Sequence, residues 1–284
     1  MVLATLRAAL AATAFLFTGG AIADSPRHVD ELLHKSGIWK QAGDLPGQLK
    51  AGAEEAREKE KASGQPATMT DAEYSRLVAA MARAFSPDRM RRIVAREIER
   101  NLPAADEAQV LRFLSTDLGV RATKAEEEAS DPATVARMRG EVDGFFIKVP
   151  GARVAKITRL AQAFKAGESA ASMMIDMAAA VAYGAAVASP NGDERVARDL
   201  RRKFEERRGE LTDTMNQQLT KVFAYTYRSL SDEDLDRYLE FAQTPAAQHF
   251  TGVTIKAFDI AFQEGGLELG RYIGREAGKN GRSS

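Results

Sequence analysis

The sequence predicts an all-α fold, a multi-helix bundle divisible into two duplicated helical halves, and three observations carry that prediction. Apolar residues recur at three- and four-residue spacing along most of the chain, the period that lines one face of a helix. Helix-start signals punctuate it: Thr70 with Glu73, Ser86 with Pro87, Ser231 with three acids behind it, and Thr244 with Pro245. The 22-residue stretch Leu230–Thr251, LSDEDLDRYLEFAQTPAAQHFT, has a weaker copy at Leu102–Thr123, 128 residues earlier.

At 284 residues and 44% apolar, the chain can bury a sizeable core. Its 40 basic and 40 acidic residues cancel, so no global field draws in nucleic acid or an anionic membrane. With no cysteine, disulfides and thiol-linked lipids are excluded. Arg7, the apolar run Ala8–Phe17 and Ala21-Ile22-Ala23 have the layout of a secretory leader, so residues 1–23 are expected to be a signal peptide cleaved before Asp24. The run is shorter than the roughly 20 residues that span a bilayer. An exported, cysteine-free chain points to a bacterial periplasm.

Val29, Leu32 and Leu33 predict a short helix closed by Gly37 as a left-handed cap. Trp39, the one tryptophan, is expected to pack where this helix meets the next, which runs to Lys61 with an interruption at Leu45-Pro46-Gly47. A capping box opens a helix at Thr70, and Ser86-Pro87 opens another whose arginine-rich outer face is interleaved with glutamates and expected to be ion-paired and solvated. Pro103 starts the first copy of the repeat, Thr116 caps the helix after it, and Asp131-Pro132 starts a helix reaching Phe145, Phe146 and Ile147. Pro150-Gly151 is the expected midpoint: the first half, 24–150, carries the weaker copy, and the second, 151–274, the stronger one, with 275–284 as a flexible tail.

In the second half, Ala166-Gly167 should end a helix. The run Ala170–Ala188 is apolar enough to be tested as a membrane span. Its alanines insert poorly and Asp176 near its middle would cost about 3 kcal/mol, so a central helix of a soluble bundle is expected and no transmembrane span in the mature chain. Asp176 should then pair with an arginine or polar group, or hold its proton. Ser189–Asp193 is a turn, and Asp193–Ser229 reads as one long helix or two joined near Gly209.

The strong copy begins with Ser231 as N-cap and Asp234 in the first turn. Leu235, Tyr238, Leu239 and Phe241 are its packing positions, and Thr244-Pro245 makes a bent corner before the next helix. Six positions are identical between the copies, among them Asp106 with Asp234, Phe113 with Phe241 and Thr116 with Thr244. Tyr227 through Leu235, then Tyr238-Leu-Glu-Phe and Thr244-Pro-Ala-Ala-Gln248, resemble the signature of domain-of-unknown-function family 2059; the opening Val29–Leu33, Gly37 and Leu45-Pro46 resemble the start of such proteins. Thr244 stands for the family's serine and Ala247 for its glycine, whereas the earlier copy has Ser115 and Gly119 but Asp117 for proline. The resemblance implies an all-helical exported bacterial protein of unassigned activity and supplies no catalytic residue.

Three histidines without metal-ligand spacing, and the lack of a nucleophile elbow, Walker loop or dinucleotide fingerprint, leave no catalytic, cofactor-binding or metal residue to expect. Gly265, Gly266 and Gly270 read as helix breakers. The chain is accordingly expected to be a non-enzymatic envelope protein acting through a protein partner or self-association. The alternative is a module for a small apolar or lipid-like ligand, with Trp39, Phe145, Phe146, Met173, Met174 and Tyr183 as the lining. A hydrolase using carboxylates such as Asp176 comes last.

Overall fold

The computed structural model describes residues 28–64, 69–190 and 192–280, so the expected leader lies outside the described residues. Helices follow one another throughout: α1 (Val29–Lys35), α2 (Ile38–Ala62), α3 (Asp71–Ala84), α4 (Pro87–Asn101), α5 (Ala104–Leu114), α6 (Asp117–Ser130), α7 (Pro132–Phe146), α8 (Gly151–Ala163), α9 (Ala166–Ala188), α10 (Glu194–Glu206), α11 (Arg208–Thr226), α12 (Asp232–Ala242) and α13 (Pro245–Asn280). Among the described residues there is no strand, and the protein is an all-α multi-helix bundle.

Three of the expected helix starts are closed by side-chain caps, whereas Ser86 makes no side-chain cap bond at the start of α4. Thr70 Oγ1 accepts from the Glu73 amide at 3.2 Å while the Glu73 carboxylate accepts from the Thr70 amide at 2.8 Å. Ser231 Oγ accepts from the Asp234 amide at 3.1 Å, and Thr244 Oγ1 from the Ala247 amide at 3.3 Å. Gly37 has φ +71°, the left-handed conformation expected of it.

Three local expectations are corrected. Pro46 sits inside α2 without ending it, because it removes only one backbone donor and the buried Ile38, Ala42 and Leu45 hold that turn against the core. The break before α9 falls at Lys165, which takes φ 49°, and Gly167 lies inside the helix against Asn216. Gly265, Gly266 and Gly270 do not break the chain either, since α13 runs through them to Asn280 and into the segment expected to be a tail.

The core is aromatic at its centre. Phe113 of α5 and Phe241 of α12 stack face to face, 4.7 Å apart and 7° from parallel. Phe164, Phe223, Tyr227 and Tyr238 continue the cluster. The Tyr227 and Tyr238 hydroxyls both donate to Oε1 of buried Glu126, at 2.7 and 2.5 Å, which satisfies two phenols no water reaches. Burial, reinforced by Glu126, pushes the Tyr238 phenol well above its ordinary range.

Helix α9 packs against α8, α10, α11 and α13. Its crossing with α13 is close because Gly266, Gly270 and Gly274 fall at four-residue spacing on one face of α13. A β-carbon on Gly270 would stand 2.1 Å from the Val181 carbonyl oxygen, and one on Gly274 2.3 Å from that of Ala185. Gly184 of α9 returns the arrangement, with a β-carbon there 2.4 Å from the Leu267 oxygen. Backbone thus meets backbone, the packing that small residues permit between apolar helices. By length and composition α9 could cross a membrane. Ala170, Ala171, Met173 and Ile175 in its first half are buried, whereas Tyr183 and Val187 in its second half are 42% and 41% exposed.

Candidate functional site

Three helices, α10, α11 and α13, bring charged side chains together beside α9. Beyond Asp193, α10 packs against α9, and Arg201 Nη2 donates to Asp176 Oδ1 at 2.7 Å. Asp176 therefore has the arginine partner its sequence setting calls for, supplied from 25 residues away. Arg208 opens α11 and donates through Nη1 to Ser172 Oγ at 2.6 Å, one turn before Asp176 on α9. Its Nε and Nη2 grip Glu205 at 2.6 and 2.8 Å. From α13 comes Asp259, whose Oδ1 is buried and has no hydrogen-bond partner.

The electrostatics follow from this placement. Burial raises the Asp259 carboxyl to about 6, with the Asp176 charge adding to the rise and Lys256 and Arg208 opposing it. The hydrogen bonds from Arg208 hold Glu205 below the usual carboxylate range, and Glu205 in turn holds Arg208 more firmly charged. Beside the cluster opens a cleft of about 410 Å³ lined by Glu168, Ser172, Arg208, Gly209, Thr212 and Asp213.

A carboxyl that titrates near 6 next to a second carboxylate can exchange a proton near neutral pH. Neither Asp176 nor Asp259 lines the cleft, however, and the arginine that does is already held by Glu205 and Ser172. Arg201 and Arg208 tie α9 to α10 and α11, while Asp259 of α13 makes no hydrogen bond through Oδ1. Among the described residues no group of three or more histidines, aspartates and glutamates is placed to hold a metal.

The residues proposed from sequence as a ligand lining are dispersed. Trp39 stacks on His34, ring centres 4.9 Å apart, under the Arg91 guanidinium at 4.7 Å, and packs α1, α2 and α4 together. Phe145 meets Tyr225 edge-on at 5.4 Å in a small cluster with Met138 and Ala129, while Phe146 packs on the main core. Met173 is buried, Met174 partly so, and Tyr183 faces outward. A second cavity, a groove of about 250 Å³ between α3 and the end of α13, is lined by Met69, Glu73, Arg76, Leu77, Tyr272, Ile273, Glu276 and Ala277. None of the sequence-chosen residues lines either cavity.

Ser231 caps, and Asp234 accepts from both terminal nitrogens of Arg121 at 2.6 and 2.9 Å. Leu235, Tyr238, Leu239 and Phe241 are buried, and Thr244 and Pro245 make the corner. Asp259, Arg208 and Ser172 escaped sequence reasoning. Asp259 carried the same signal as Asp176, an acid in the apolar run from Ala257 to Phe262. Comparisons with protein-family models, with curated proteins and with solved structures found no match to this chain.

Proposed function

We propose that this chain is an exported helical protein of the bacterial cell envelope, akin to domain-of-unknown-function family 2059, that acts by binding another protein and not by catalysis. The observation that carries the proposal is the outer face of the α9–α10 hairpin. Tyr183 and Val187 on α9 are 42% and 41% exposed, and Val196 on α10 is 65% exposed. Tyr183 and Val187 stand one turn apart on α9 and Val196 lies near the start of α10, so both helices turn apolar side chains to solvent, the feature from which docking sites are built. The Asp176–Arg201 ion pair supports the same reading, because the one acid singled out for chemistry has a structural occupation.

The test is a photo-crosslinking residue placed at Tyr183, Val187 and Val196 in turn, in cells that make the full chain. A crosslinked band of one defined mass, from a partner or a second copy, is expected, and the bands from positions 183 and 196 should disappear when Val187 is changed to aspartate. Absence of any such band at all three positions would sink the proposal.

One observation favours a second reading, a site for a small apolar molecule. The α3–α13 groove has a floor of Met69, Leu77, Tyr272, Ile273 and Ala277. Native mass spectrometry of the purified chain should then show a bound mass that Ala277→Trp displaces; an identical spectrum for both proteins rules this reading out.

A further inference from the structure

A single offset relates α1, α2, α5 and α6 to α8, α9, α12 and α13, beyond the 22-residue motif, whereas α3 and α4 do not share it with α10 and α11. Helix α1 ends at Lys35 and α8 at Ala163; α2 begins at Ile38 and α9 at Ala166. Helices α5 and α12 span Ala104–Leu114 and Asp232–Ala242, and α6 and α13 begin at Asp117 and Pro245. Each of these pairs is separated by 128 residues. So are Gly37 and Lys165, the left-handed residues that break α1 from α2 and α8 from α9. Lys165 is the only non-glycine residue with positive φ among those described, and helical patterning does not predict a left-handed residue at the matching place.

Packing repeats with the boundaries. Helix α2 contacts α3, α4 and α6 as α9 contacts α10, α11 and α13, and α1 contacts α5 as α8 contacts α12. Two ion pairs between the halves are reciprocal. Asp106 of the first half lies 2.8 Å from His249 Nδ1 of the second, and Asp234 of the second takes Arg121 of the first at 2.6 Å. Asp106 corresponds to Asp234 and Arg121 to His249 under the same offset. The two basic side chains are even alike in exposure, 49% and 47%. Phe113 and Phe241, themselves counterparts, stack on one another. A residue that touches its own counterpart marks a twofold axis, and crossed pairs on either side of it are what an isologous interface produces.

We infer that the chain is a joined pair of one six-helix unit, α1–α6 and α8–α13 with α7 as the link, and that the face centred on Phe113 and Phe241 is an interface for a second copy of that unit, filled here within one molecule. The inference is independent of the envelope reading. It also has a consequence for partners: this self-complementary face is already occupied, so any other protein docks elsewhere.

Exchange of counterpart residues in the full chain tests it. His249→Arg places an arginine on Asp106 where the other half already uses one, and should raise the melting temperature. Arg121→His should lower it by a similar amount, and the double exchange should return to within about 2 °C of the parent. Lys165→Gly and Gly37→Lys should likewise move the melting temperature in opposite directions. A double exchange no more stable than Arg121→His alone overturns the inference, as does a crystal structure of His249→Arg with the arginine turned away from Asp106. Should Arg121→His fail to fold, the two gains still decide: His249→Arg or Lys165→Gly leaving the melting temperature unchanged would refute it.

Discussion

The corner between α5 and α6 and the corner between α12 and α13 are made by the same hydrogen bonds at slightly different lengths. Thr116 Oγ1 donates to the Phe113 carbonyl at 2.7 Å and accepts from the Gly119 amide at 3.1 Å. For Thr244 the partners are Phe241 at 2.9 Å and Ala247 at 3.3 Å. The first corner is closed so tightly that a β-carbon on Gly119 would stand 2.2 Å from the Phe113 carbonyl oxygen. The second corner holds the methyl of buried Ala247, and its two threonine hydrogen bonds are each about 0.2 Å longer. Glycine is thus used at position 119 for space and not for an unusual φ. The helices that leave the corners also differ, for α6 stops at Ser130 whereas α13 continues to Asn280. Asp131, just past the end of α6, accepts from Lys40 at 2.7 Å. Its counterpart Asp259 is carried into the crossing with α9, and the counterpart of Lys40 is Glu168, so the acid is left without a lysine partner from that position.

The two corners should respond differently to mutation. The largest effect is expected at the shared stack: Phe113→Ala and Phe241→Ala should each cost about 3–5 kcal/mol in urea unfolding, and the double variant less than their sum. Strict additivity would mean that the corners do not meet through these rings. Next, Gly119→Ala should destabilise by about 1–3 kcal/mol through overpacking, while Ala247→Gly should cost about 1 kcal/mol or less. Equal costs would remove the difference in closure.

Asp259→Asn is expected to stabilise the protein by about 2 kcal/mol at pH 7. Because its carboxyl is raised to about 6 in the fold, the folded chain holds that proton more tightly than the unfolded one. Its favourable contribution is complete below about pH 4 and is lost as the pH rises through about 6. The asparagine variant should lack this loss in a pH series of melting curves. The smallest effect belongs to the Arg121–Asp234 pair, with a coupling of about 1 kcal/mol in a double-mutant cycle. The Arg121 hydrogen bond holds Asp234 below the usual carboxylate range, so this coupling should be present at neutral pH and vanish as the pH falls through that depressed value.

Much of this fold was legible in the sequence, and the reason is local chemistry. Thr70 with Glu73, Ser231 with Asp234 and Thr244 with Pro245 act within one turn, so the residues that make each helix start sit side by side in the chain. The failures involve distance. Gly266 and Gly270 read as breakers because the backbone they fit against, at Met177 and Val181, lies on another helix. Pro46 read as an interruption because the packing that carries the helix past it is tertiary. At the candidate site, Asp176 was visible as an acid on an apolar face, but its partner Arg201 lay among many arginines of α10 with nothing local to single it out. Reciprocal pairing of Asp106 with His249 and Asp234 with Arg121 was hidden for a different reason: histidine and arginine do not align as an identity, and only coordinates show them doing one job.

The glycine-lined crossing of α9 and α13 bears on how the molecule responds to temperature. Aromatic burial around Phe113 and Phe241 is hydrophobic in origin, carries a large heat-capacity change and weakens on cooling. Where Gly184, Gly266, Gly270 and Gly274 let backbones touch, little apolar side-chain area is removed from water, and the attraction is mainly dispersion between close atoms. That contact should keep its strength near freezing while the aromatic centre loses some of its own, so that the chain, cooled far enough, would loosen first at its middle and last along these two helices.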